Sequence, residues 1–339
     1  MQEIISAEQF LKEKRLFPVI DVRSPGEFET GHIPAAINIP VFNNEERAIV
    51  GTAYTKVGTG EAIEKGKELA AAKLDWYLTS LQNVAPQRKA LMYCWRGGMR
   101  SREMASFYNS NGFEIKVLQG GYKAYRTFIR RQFGQKADIR IVGGYTGTGK
   151  TEILTELKKQ GCQVIDLEAL ANHKGSVFGH LGQKEQPTSQ NFENELYEIW
   201  STLNFDKPVW IEHESMNVGN IFLPDTLYQN ILNGKLFFVK VSKERRVQRI
   251  LNEYAGFPVE DLIYSLKRIE RRIGPDVTLR LTDLLLKHQF EKVTDELLVY
   301  YDKTYQNAAL KNPVQQIFEA DAVGLESDEI AALLMNYKV

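Results

Sequence analysis

Cysteine is scarce: Cys94 and Cys162 are the only two in 339 residues. A disulfide framework and a thiolate zinc site both need more sulfur at closer spacing, so neither is expected, and a reducing cytoplasm is the natural compartment. Long apolar runs are also missing. None reaches the roughly 18 residues that cross a bilayer, and MQEIISAEQFLKEKRLF at the start lacks the basic-then-apolar order of a signal peptide. No membrane partner is expected. Internal repeats and low-complexity tracts are absent. So is net charge, since 43 basic side chains balance 43 acidic ones. A length of 339 residues, 43% of them hydrophobic and 25% charged, suits two globular domains, each with its own core.

A neutral total hides a local bias. Between Arg88 and Arg131 lie ten basic residues (Arg88, Lys89, Arg96, Arg100, Arg102, Lys116, Lys123, Arg126, Arg130 and Arg131) against two acids, Glu103 and Glu114. KERRVQR (243–249) and KRIERR (267–272) are further basic clusters. Such a segment is either a phosphate-binding face or a set of solvated helix surfaces.

Strands and helices alternate along the chain. PVIDV (18–22) and ALMYC (90–94) read as short buried strands, and residues 61–81 have helical spacing, with Trp76 among the apolar positions. A helix over 101–110 and the strand, glycine turn and helix of KVLQGGYKAY follow. RRQFGQKAD (130–138) has no clear period and marks a boundary. Beyond it, IRIVG (139–143), CQVIDL, PVWIE and KLFFVKV (235–241) are strand candidates, residues 243–309 are mostly helical, and QIFEA is a last strand. The fold class is therefore α/β with parallel sheets. A first domain is expected over 1–130 and a second, with a helical C-terminal part, over 139–339.

The first chemical signal is YCWRGGMRS (93–101). A strand delivers Cys94 to a glycine loop, and a helix starts directly after it. Backbone amides, a helix N-terminus and the arginines Arg96 and Arg100 all favour a thiolate, the nucleophilic form of cysteine. Gly97 and Gly98 let successive N–H groups turn inward as an anion-binding nest. Together with DVRSPGEFETGHIPAAINIP, this loop resembles the rhodanese family over residues 1–128. That resemblance implies a cysteine that accepts a sulfur-group atom. The loop from Cys94 to Arg100 spans seven residues, one more than the usual sulfurtransferase loop and equal to the C-x5-R of related phosphatases. It has room for a larger atom or for an oxyanion. Asp21 and Arg23 are expected to brace it by hydrogen bonds, and Trp95 either stacks on a base or covers the transferred atom.

The second signal is GGYTGTGKT (143–151). It matches G-x-x-x-x-G-K-[ST] between a strand and a helix, the setting in which Gly144, Gly147 and Gly149 free the backbone to wrap a diphosphate. Lys150 adds charge, the helix N-terminus adds its dipole, and Thr151 is placed to reach a magnesium ion. Asp166 and Glu212, at the ends of two strand candidates, are where a metal-orienting carboxylate would stand. No tightly bound cofactor is expected. Any diphosphate ester fits such a cradle.

The two loops in this order, with NHKGSVFGHLG (172–182), QPTSQNFE (186–193) and IEHESMNVG (211–219), resemble the bacterial tRNA 2-selenouridine synthase family nearly end to end. The resemblance implies exchange of sulfur for selenium in a wobble-position 2-thiouridine of tRNA. Selenophosphate would be the donor, and the sulfur would first be alkylated by geranyl diphosphate. Trp95, Arg96, Gly97, Gly98 and Arg100 would form the donor loop around Cys94. His173, Ser176 and Phe178 would line a uridine or isoprenoid pocket; Glu212 and Ser215 are family-motif positions. Gln186, Thr188 and Gln190 bind substrate or serve the following helix as a cap, and His213 is read as structural. Two alternatives use the same loops: a cysteine-dependent phosphatase or a sulfurtransferase, either one fused to a kinase-like P-loop module.

Overall fold

A computed structural model describes residues 3–311, 314 and 316–337. Two compact units emerge from its contacts: Met1–Gln132 with Thr188–Glu195, and Phe133–Pro187 with Leu196–Val339. Each holds a five-stranded parallel sheet, the α/β class expected. Among the described residues no helix is long and apolar enough to cross a membrane.

In the first unit the strands are β1 (Glu3–Ile5), β2 (Val19–Asp21), β3 (Ile37–Asn38), β4 (Lys89–Tyr93) and β5 (Glu114–Leu118), in the order β1-β5-β4-β2-β3. β2 is buried throughout and β4 after its first residue, as strands must be when helices cover both sheet faces. Met92, Val117, Tyr77, Leu81 and Tyr108 share one core. The single helix read over 61–81 is two, Thr59–Ala71 and Leu74–Val84. Trp76 stands 48% exposed, because Tyr77 and Leu81 supply the buried face of the second helix.

The second unit contains β6 (Ile139–Gly143), β7 (Gln163–Ile165), β8 (Val209–Glu212), a ribbon of β9 (Asn217–Val218) and β10 (Ile221–Phe222), β11 (Lys235–Lys240) and β12 (Gln316–Asp321). Its main sheet runs β12-β11-β6-β8-β7. β6 is central, so the loop leaving its carboxyl end opens where such sheets bind ligands. Cys162 is half-buried and packs on this unit's sheet core. Helices Val259–Lys267, Pro275–Leu286 and Phe290–Lys311 gather a separate apolar cluster around Leu266 and Leu281.

Candidate functional sites

In the first unit, β4 ends at Tyr93 and Cys94 follows, 3% exposed. Its Sγ lies 3.1 Å from the Oγ of Ser101, and that hydroxyl also donates to Gly98 O at 3.3 Å. The helix Met99–Ser110 begins at Gly98 without a side-chain cap, so its first N–H groups remain for the loop or a ligand. Gly97 has φ +59°, and a Cβ there would stand 2.6 Å from Leu118 O. Only glycine lets the loop lie this close to β5. Two further bonds clamp the loop: Tyr122 N–H to Cys94 O at 2.9 Å and Lys123 N–H to Trp95 O at 3.0 Å.

Arg100 closes the loop through two bonds to Glu27, at 2.6 and 3.1 Å. Glu27 sits in the first turn of the helix Pro25–Thr30, where it completes a capping box with Ser24. Burial works to raise its carboxyl, but the Arg100 guanidinium, the Ser24 N–H and Arg47 overcome that and hold it at about 2. The bracing expected of Asp21 and Arg23 takes another form. Arg23 spends its guanidinium on Asp21 and Gly31 O, and its charge lies 4.1 Å from the Tyr122 ring and 5.8 Å from Trp95. Among the described residues it reaches the loop by packing rather than by hydrogen bonds.

The basic segment is thinner than its sequence suggests. Arg100 pairs with Glu27, Lys89 with Glu114, Lys116 with Glu3 and Glu13, and both Arg126 and Arg130 with Glu193. Among the described residues, five of the ten cations are thus matched by carboxylates, four of those carboxylates far outside the segment. QPTSQNFE is structural as well. Thr188 Oγ donates to Thr30 O and caps Asn191 N, Arg126 donates to Gln190 O, and Gln186 bridges Ala171 O and Val218 O.

In the second unit the P-loop leaves β6 with Gly144, Gly147 and Gly149 at φ +149°, +82° and +90°, and Lys150 opens the helix Lys150–Lys159. Arg246 Nε binds Thr146 O at 2.8 Å, and Arg249 Nη1 binds Gly147 O and Thr148 O at 3.1 and 3.0 Å. Thr148 N–H closes a turn onto Tyr145 O at 3.1 Å; with carbonyls of the loop held from outside, its other amides suit an anion.

The acids at this loop are not the two named from the sequence. Asp166 caps the helix Leu167–Ala171 through Ala169 N, and Glu212 accepts Glu168 N–H at 2.7 Å. Glu168 is the acid that meets Thr151, whose Oγ donates to its carboxylate at 3.2 Å. A hydrogen bond joins Glu168 to Glu214, and burial, followed by the Glu168 charge, pushes Glu214 up to about 8. The backbone of Gly175, at φ +67°, passes so near that a Cβ would stand 2.7 Å from Glu168 and 2.9 Å from Glu214. Nothing near Glu168 in sequence marks it except its place two residues beyond a strand-end acid.

A cavity of about 1170 Å³ opens on this loop. Its wall joins Gly147, Lys150, Thr151, Glu168 and Glu214 to Val177, Phe178, Leu262, Leu266, Ile269, Leu285 and Leu297. Ser176, Phe178 and Ser215 also line it. The Ser215 hydroxyl is committed to Asn217 O at 2.8 Å, and Ser176 Oγ accepts Phe178 N–H at 3.2 Å. His173 is buried and outside the lining; burial lowers its pKa. His213 pairs with the Tyr305 hydroxyl at 2.6 Å, and burial together with Lys150 lowers it to about 4; it also lines the cavity.

Residues 137–326 match the family model described as the tRNA 2-selenouridine synthase AAA domain, and residues 6–127 match the rhodanese-like domain. The tRNA 2-selenouridine synthase of Sulfurovum sp. (strain NBC37-1) is 32% identical over 357 residues, covering 95% of each chain. That of Nitrosomonas europaea is 33% identical over 287 residues, covering 82% of this chain and 73% of its own. That of Shewanella denitrificans is 30% identical over 351 residues, 91% of this chain and 93% of its own.

Proposed function

Because the chain belongs to the tRNA 2-selenouridine synthase family, we propose that it is a transferase acting on tRNA in two steps. It first alkylates the sulfur of a wobble-position 2-thiouridine with geranyl diphosphate, then replaces that sulfur with selenium from selenophosphate.

One observation carries the first step: a phosphate loop and an apolar wall of leucines line the same cavity. That combination fits a ligand with a diphosphate head and a hydrocarbon tail. Lys150 and the loop amides would hold the head, and burying the tail supplies about 25 cal/mol per Å² of apolar surface removed from water. The thiocarbonyl sulfur attacks C1 of the geranyl group, the C1–O bond breaks, and diphosphate leaves with the electron pair while the base loses its N3 proton. Lys150 stabilises the charge that develops on the leaving oxygen. A magnesium ion fits the hard oxygen donors of Thr151 and Glu168, which already approach to 3.2 Å, and would neutralise part of the diphosphate charge.

The second step is assigned to the Cys94 loop. Free helix N–H groups and the fixed Arg100 guanidinium suit the phosphate-like end of selenophosphate. Cys94 is assigned the binding and activation of the donor. Selenium, already at the selenide level, adds at C2, the C2–S bond breaks and geranylthiol leaves. Water attacks phosphorus to break the P–Se bond and release phosphate. A selenenylsulfide on Cys94 would instead require a two-electron oxidant to form and a reductant to discharge.

The test is mass spectrometry of nucleosides from 2-thiouridine-containing tRNA incubated with the protein and geranyl diphosphate, selenophosphate, both or neither. A geranylated nucleoside with the first, and a selenated one only with both, is expected. Unchanged nucleosides in every reaction would return Cys94 to the phosphatase reading.

A further inference from the structure

We infer that Trp95, with Arg96 and Lys123 beside it, grips one unstacked nucleotide of the RNA substrate, the base lying on the indole and neighbouring phosphates on the two cations. This rests on the reading above for which nucleotide reacts, and adds the contact that presents it to Cys94.

Trp95 directly follows Cys94 and is 37% exposed; Trp200 and Trp210 are at most 2% exposed, and Trp76, at 48%, sits on the helix Leu74–Val84 rather than on a loop. Its position is nonetheless built. Tyr122 packs on the indole at 5.8 Å between ring centroids, the buried Arg23 guanidinium lies 5.8 Å from it, and its carbonyl accepts the Lys123 N–H. A large aromatic ring held in place yet open to water is the form that base-stacking platforms take, since stacking tolerates any base but needs a preset surface. Uridine chemistry on RNA needs such a surface, because the reacting base must leave its stack.

The charges support an RNA partner specifically. Five cations of the 88–131 segment are paired with carboxylates, as described above, but Arg96 and Lys123 are exposed and form no ion pair among the described residues. One adjoins Trp95 in sequence, and the other is hydrogen-bonded to it through the backbone. Two exposed cations on residues joined directly to an exposed indole suit a base and its neighbouring phosphates.

Binding of a fluorescent anticodon stem-loop RNA carrying 2-thiouridine or its S-geranyl form, to the full chain over a range of salt concentrations, tests this. Trp95→Ala should weaken binding by about 5- to 150-fold, the worth of one base stack, and leave the salt slope unchanged. Trp95→Phe should recover most of the loss. Arg96→Gln and Lys123→Gln should each flatten the slope of log K against log salt by about 0.7, the loss of one single-strand phosphate contact. The rate at which iodoacetamide alkylates Cys94 should be the same in Trp95→Ala as in the wild type; a changed rate would mean the indole shapes the loop and would overturn the proposal. So would undiminished binding by Trp95→Ala, a salt slope that ignores both cations, or a wild type that does not bind the stem-loop. If these binding effects appear while no selenated or geranylated nucleoside forms, the grip stands and the proposed reaction falls.

Discussion

Glu27→Gln removes the carboxylate that holds Arg100 at the end of the cysteine loop. The Glu27 carboxyl is held at about 2 against an ordinary 4.5, a difference worth roughly 3 kcal/mol. The side chain is 23% exposed, and the glutamine still accepts one bond, so a loss of roughly 2 kcal/mol is expected at pH 7. The sign follows from the depressed pKa: the stabilisation is fully present above about pH 4.5 and disappears as pH falls through about 2. Hydrogen exchange on peptides from β4 and β5 reads the opening of this unit, and carboxyl NMR reads the Glu27 titration. The variant should open more readily at pH 7, and the gap to the wild type should close below pH 4.5. Selenation should fall roughly tenfold or more as Arg100 loses its position, with alkylation unaffected. A Glu27 midpoint near 4.5, or a stability gap unchanged between pH 7 and pH 3, would show that the Arg100 pair does not hold this carboxylate.

Cys94→Ser should still geranylate 2-thiouridine but not selenate it; selenated product at the wild-type rate would remove Cys94 from the mechanism. Lys150→Ala loses a charged contact worth about 1.5–3 kcal/mol, so the affinity for geranyl diphosphate, measured by calorimetry, should drop by roughly one to two orders of magnitude. Val177→Trp places a ring in the apolar wall and should raise the KM for geranyl diphosphate while inhibition by inorganic diphosphate stays as it was; equal loss of both would show that the tail does not lie there. Gly175→Ala forces a Cβ against Glu168 and Glu214 at φ +67°, a strain of about 1–3 kcal/mol, and an unchanged Tm would contradict that close approach.

Chemistry that depends on near neighbours could be read along the chain. The glycines of GGYTGTGKT announce a phosphate loop because positive φ is a local freedom, and a strand ending at Cys94 with a helix starting at Met99 is a local pattern. Both parallel sheets followed from the alternation of short apolar runs with helical spacing. The unanticipated ribbon β9–β10 is two residues per strand, too short for any period to register.

Long-range pairing decided the rest. Glu27 holds Arg100 across 73 residues of sequence, and Glu193 neutralises two arginines of a segment that reads as an RNA-binding run. Asp166 and Glu212 looked like the acids of the P-loop, yet β7 lies beside β8 in register and the start of the next helix takes one oxygen of each. Glu168 is left to face Thr151. The stretch 243–309 reads only as mostly helical, and it is the packing of its helices that puts Leu262, Leu266 and Leu285 around a cavity. Backbone freedom and side-chain chemistry travel with the residue, so the cysteine loop, the phosphate loop and the fold class are legible along the chain. Which charges are neutralised and which apolar surface stays open depend on residues brought together from far apart, and those emerge only on folding.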